Sequence, residues 1–253
     1  MSTATLVTHN PKFDAKLTTL AALQALPEPV ALGPMHKPVA HAALVHAIHQ
    51  QIDQRGFMVK REQLALSAKG HALFGVMDLT ATQGELLTDS QRGLSFGFRN
   101  STDCSLGIQA VAGTRVFVCD NLALSGDLFA IKRKNTTGLD LGAAVATGFD
   151  KFLQHVTQFE IEITRLQGTV ISDGQAKEVI FDAFNASIVP VRLFDDVSRF
   201  YFKPTDEQTD CQPRSLWGLH NAFTRAMKDL SPVRLFGANV SLGKLFGLRS
   251  KKD

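Results

Sequence analysis

The stretch DLGAAVATGFDKFLQHVTQFEIEITRL, residues 140–166, decides the fold class. Within it Leu141, Val145, Phe149, Phe152, Val156, Phe159, Ile163 and Leu166 follow one another at steps of four or three. A helix turns once in about 3.6 residues, so these side chains form one continuous apolar stripe. A coiled-coil seam would be flanked by paired opposite charges, which are missing, and Gly148 interrupts it. The spacing therefore predicts one helix from Asp140 to Leu166, packed across a sheet.

Working outward, Leu44, Ile48 and Ile52 recur every fourth position between His41 and Arg55, and Gly56 stands where a left-handed cap would end such a helix. FMVKREQLALSA (57–68), Lys69-Gly70 and HALFGVMDL (71–79) read as a hairpin. Further short strands are expected at Leu94 to Arg99, Gly107 to Val111, Thr114 to Cys119 and Leu128 to Arg133, punctuated by glycine and asparagine. Beyond the long helix come a strand (Thr169 to Ser172), a helix (Gly174 to Asn185) and a last helix from Ser215 to Leu230. That last helix carries Leu216, Phe223, Met227 and Leu230 on one face. The expected class is α+β: a mainly antiparallel sheet of about five to seven strands with long helices packed on one face.

Three divisions follow. Residues 1–38 hold five of the nine prolines and read as an extended arm, residues 39–230 as the main domain, and residues 231–253 as a basic tail. With 253 residues, 44% of them hydrophobic, the chain can close a sizeable core. No apolar run approaches the length of a membrane span and the N-terminus lacks a secretory pattern, so the expectation is a cytoplasmic protein with no membrane partner. Cys104, Cys119 and Cys211 are too few for a disulfide framework and read as buried or partly buried free thiols.

Charge is unevenly placed. From Arg214 to Asp253 eight Lys or Arg face two acids, giving +6, against −3 for everything before. Arg225, Lys228, Arg234, Lys244, Arg249, Lys251 and Lys252 are thus candidates for meeting phosphates, although many solvated termini share this composition. The run Gly237-Ala-Asn-Val-Ser-Leu-Gly243-Lys244-Leu245 is not a phosphate loop: its glycines are one residue too far apart and a Leu follows the Lys. His46 and His49 share a helical face without a third ligand, so no metal and no cofactor is implied.

The densest polar group is Arg99-Asn100-Ser101-Thr102-Asp103-Cys104, followed by Arg115 and by Val116-Phe117-Val118-Cys119-Asp120-Asn121. Such residues commonly satisfy turns at strand ends. As a site, Arg99 and Arg115 would supply cations, and Asn100, Asp103, Asp120 and Asn121 hydrogen bonds or metal ligands, with all of these expected within mutual reach. No nucleophile or base is placed beside them, so no catalytic residue is assigned. Trp217 and His220 read as core packing.

The segments FGFRNSTDCSLGIQAVAGTRVFVCDNLALSGD and SLWGLHNAFTRAMKD resemble the domain-of-unknown-function family 932, also called phage/plasmid-related proteins. Asn100, Ser101, Asp103, Gly113, Val118, Cys119, Asp120 and Asn121 carry the first match, and Trp217, Leu219, Asn221, Ala222 and Thr224 the second. Thr102 departs from the pattern, where relatives carry His. The resemblance implies work on replication, recombination or defence of a mobile element and brings no catalytic residues with it. The leading expectation is a non-enzymatic protein that binds DNA, single-stranded before duplex, in recombination or replication, compatible with a homo-oligomer. The alternatives are a metal-dependent enzyme acting on phosphates through Arg99, Asp103, Asp120 and Asn121, and a host-directed interaction protein.

Overall fold

A computed structural model describes residues 15–81, 92–116, 121–205, 211, 214–230 and 232–248, with backbone only at 15, 81, 92–93, 112–116, 121–132, 155–159 and 232–233. Six antiparallel strands, β1 (Ala15–Thr18), β2 (Phe57–Ser67), β3 (Ala72–Ala81), β4 (Arg92–Ser101), β5 (Ile108–Val116) and β6 (Asn121–Arg133), form a meander in sequence order. Gly70, at a φ of 73° that favours glycine, turns β2 into β3. Helices α1 (Leu20–Gln24) and α2 (His41–Gln54) precede β2, and α2 ends at Gly56 with a φ of 72°. After the sheet come α3 (Leu141–Gly168), α4 (Asp173–Asn185), a short 3-10 turn (Val191–Leu193), α5 (Phe194–Phe202), α6 (Leu216–Ala226) and α7 (Pro232–Leu245). The chain is α+β as the sequence predicts. No helix among the described residues is long and apolar enough to cross a membrane.

The long helix forms as one piece. Asp140 caps it by accepting from the Ala143 backbone N–H at 2.9 Å, and its stripe is divided between two cores. Val145, Phe149 and Phe152 pack with α2 and with Leu73, Met77, Phe96 and Phe98 of the sheet. Ile163 and Leu166 pack instead among α4 to α7. Phe149 stacks on Phe96 at 4.5 Å between centroids, and Phe152 meets both rings edge-on at 6.0 Å. Phe98 reaches across β3 only because position 75 is glycine: a Cβ there would lie 2.2 Å from its ring. Val156 and Phe159 lie outside the described side chains.

Several boundaries differ from expectation. The arm is partly structured, since Ala15–Thr18 pairs with Leu64–Ser67 as the sheet's edge strand. The two strands expected around Gly113 are one strand, β5, whose register slips at Val111 and Gly113. Glycine there marks a bulge rather than a turn. The strand expected at Thr169 to Ser172 is only an isolated bridge, Val170 to Ser215. Residues 232–245 of the expected tail form a helix. Phe236 and Val240 of α7 cover Val111, while Ala238 and Leu242, with Phe246 and Leu248 beyond, enter the helical core. Phe96 and Phe98 point toward α2 and α3, whereas Val111 and Arg99 alternate to the opposite face, so α7 adds a helix there. Cys211 is buried, as expected. Cys104 is exposed, where a buried or partly buried thiol was expected.

Phe149→Ala should destabilise the protein by about 3–5 kcal/mol through the cavity left against Phe96 and Phe152. Ile161→Ala, on the same helix but 55% exposed, should stay within about 0.5 kcal/mol. Denaturant unfolding of both variants checks the pair.

Candidate functional site

The Asn-Ser-x-Asp turn joins β4 to β5, and its first polar side chains face inward. Asn100 is fully buried and donates through Nδ2 to the Val39 carbonyl at 2.8 Å and to His41 Nδ1 at 3.2 Å. His41 in turn donates from Nε2 to the Gly70 carbonyl at 3.1 Å, which sets its tautomer. Burial is the main reason its pKa lies below the ordinary histidine value, so it is neutral at pH 7. Asn135 donates to Asn100 Oδ1 at 3.0 Å and to the Ser101 carbonyl at 2.6 Å. Ser101 Oγ closes the turn by donating to the Leu106 carbonyl and accepting from its N–H, both at 2.9 Å. Asp103 Oδ1 accepts from the backbone N–H of Ser105 at 3.0 Å and from its hydroxyl at 2.5 Å. Burial pushes this carboxyl up, but the hydrogen bonds from Ser105 and Ser101 outweigh it and hold the pKa below its usual range. These bonds tie β4, the start of α2 and the segment before α3 together. Beside them a cleft of about 380 Å³ opens between the turn, with Thr102 and Asp103, and the proline-rich segment from Leu26 to Leu32.

The second half of the expected cluster is elsewhere. Asn121 pairs with Val116, and Val116 with Arg92, eight positions along β4 from Asn100. At about 3.3 Å per residue the separation is roughly 26 Å. Only one strand, β5, stands between the two turns, so a meander must place them at opposite ends of the sheet. Arg115, opposite Gly93 and Leu122, belongs to the Asn121 end by its backbone. Asp120 lies outside the described residues. Among those described, no group of three His, Cys, Asp or Glu side chains could hold a metal ion.

The seven candidate cations of the C-terminal stretch divide into three sets. Arg234 and Lys244 lie exposed on α7. Arg225 and Lys228 are half-buried, with the Arg225 guanidinium 5.8 Å from the Phe200 ring. Arg249, Lys251 and Lys252 lie outside the described residues. Arg99 faces α7 from β4, half-buried, with its guanidinium 5.1 Å from the Phe236 ring centroid. Burial holds its pKa below the usual arginine value, and its Nε is buried without a hydrogen-bond partner among the described residues. The sequence singled out Arg99 but not Phe236, because α7 was not expected to reach the sheet.

Trp217 and His220 belong to the helical core. Their rings stack at 5.1 Å with planes 3° apart, and Phe246 meets the imidazole edge-on at 5.2 Å. Neither His220 nitrogen finds a partner in hydrogen-bond geometry among the described residues, and full burial drives its pKa to about 3.

A protein-family model described as "Domain of unknown function (DUF932)" matches residues 32–243. No curated protein and no solved structure matches the chain.

The buried imidazole makes stability depend on pH. Unfolded His220 takes a proton near pH 6.5, and folded His220 only near 3. The unfolded state therefore binds more protons in between, and stability, full above about pH 6.5, falls as the pH drops toward 3. From pH 7 to pH 5 this group should remove about 2 kcal/mol. His220→Phe should lack that component, which unfolding curves of both proteins at the two pH values will measure.

Proposed function

We propose that this chain, which belongs to the DUF932 family, is a cytoplasmic protein that binds single-stranded DNA without catalysing a reaction on it, in the recombination or replication of a phage or plasmid. The observation that supports this most is the placement of the basic C-terminal stretch. Its charge of +6 is not all on a solvated tail: residues 232–245 are helical, docked on the sheet through Phe236 and Val240. Arg234 and Lys244 are thereby held at fixed positions on a folded surface, where neutralising phosphates releases counterions from the nucleic acid. The enzyme reading loses support because Arg99 and Asp103 lie at the opposite end of the sheet from Asn121, whereas its four groups were to act at one place. Single strands are preferred over duplex on the order of elements alone, a meander followed by a long helix, as in phage annealing proteins; that is an argument from analogy.

The experiment is oligonucleotide binding by fluorescence anisotropy at low and moderate salt. Arg234→Gln combined with Lys244→Gln should weaken binding and lower the slope of log affinity against log salt by about 0.7 for each phosphate that is no longer neutralised. Stability should barely change, because both side chains are exposed. Removing all residues after Leu230 is a poor alternative, since Leu242, Phe246 and Leu248 are core residues. Equal affinity and equal slope for the double variant would remove α7 from the interface.

A further inference from the structure

Arg99 differs from four other arginines of the chain. Arg55 is paired with Asp150, Arg165 with Glu162, Arg199 with Asp196 and Arg214 with Asp173. Arg99 meets no carboxylate and no hydrogen-bond acceptor among the described residues, although its Nε is buried. A cation held partly out of water without a counter-charge is unfavourable, and an arriving anion removes that cost. The guanidinium presents a planar fork that matches two oxygens of a phosphate, and the Phe236 ring, 5.1 Å from its centre, packs beside it. Arg234, two positions before Phe236 on the same helix, is exposed.

The aromatic neighbours decide what part of a nucleic acid can be read here. Phe74, directly opposite Arg99 on β3, is 4% exposed, and Phe236 is 8% exposed. Binding of bases by stacking needs an open ring face, and neither ring offers one. The other cross-strand neighbour, Gln109 on β5, is half-buried and can donate to an oxygen. We propose that Arg99 is the seat of one phosphate group, and that this group is a backbone phosphate of single-stranded nucleic acid, held without regard to its bases. The source named here rests on the nucleic-acid reading given above; the seat itself does not.

The test uses the full-length chain, Arg99→Gln and Arg99→Lys, with three probes: oligo-dT, oligo-dA and inorganic pyrophosphate. For Arg99→Gln, affinity for both oligonucleotides should fall by the same factor, about tenfold, with the salt slope reduced by about 0.7. Arg99→Lys keeps the charge but loses the fork, so it should recover the slope and only part of the affinity. Pyrophosphate should raise the thermal midpoint of the natural protein and leave that of Arg99→Gln unmoved. Circular dichroism establishes that each variant is folded, and if Arg99→Gln is not, Arg99→Lys decides through its weaker affinity. Unchanged oligonucleotide binding by Arg99→Gln overturns the seat while leaving the DNA reading standing, as does equal stabilisation of both proteins by pyrophosphate. Stabilisation by pyrophosphate through Arg99 without any oligonucleotide binding overturns the nucleic-acid source and assigns the seat to a free phosphate compound. A large difference between oligo-dT and oligo-dA that disappears in Arg99→Gln contradicts recognition without bases.

Discussion

One helix belongs to two cores, and the rest of the molecule is arranged around that constraint. Over its 28 residues, roughly 42 Å, α3 gives Val145, Phe149 and Phe152 to the sheet and Ile163 and Leu166 to the helical bundle. Neither core is closed without it. Phe149 fills the space over Phe96, and Leu166 lies among the side chains that bury Trp217 and Phe223. The two packings share a rigid element, so loosening either end of α3 should be felt at the other. The polar turn at Asn100 reinforces this arrangement, since Asn135 ties the segment that leads into α3 back to β4.

What could be read in advance was what depends on local spacing. Val145, Phe149, Phe152, Ile163 and Leu166 of the α3 stripe are buried because a period near 3.5 sustained over many residues has one good structural solution, and the β2–β3 turn holds because Gly70 supplies a backbone conformation few residues adopt. What failed depended on partners distant in sequence. Gly113 has the look of punctuation, yet cross-strand pairing with Ser95 and Leu124 keeps it inside β5. Gly237 and Gly243 lower the helix propensity of residues 232–245, and burial of Phe236, Val240 and Leu242 overrides that cost. The expected polar site failed by parity: two turns separated by a single strand fall at opposite ends of a meander. Arg99 was visible as a cation, but its lack of a counter-charge among the described residues and its contact with Phe236 are tertiary facts.

These outcomes redistribute function across the surface. Asn100, Ser101 and Asp103 have their hydrogen bonds taken up within the fold, which makes the most conspicuous motif in the sequence chiefly architectural. The cations are different. Arg234 and Lys244 are presented on α7, and Arg99 lies at the junction of that helix with the sheet. On the proposed reading, cations placed this way would attract a polyanion over a Debye length, and would specify charge and spacing rather than base identity.

The most direct measurement is a calorimetric titration of the intact chain with a single-stranded oligonucleotide across a salt series, beside the same titration with duplex. The single strand should bind with an affinity whose logarithm falls linearly with the logarithm of salt, with a slope corresponding to several neutralised phosphates at about 0.7 each. No binding at low salt, or binding that salt does not weaken, would contradict it.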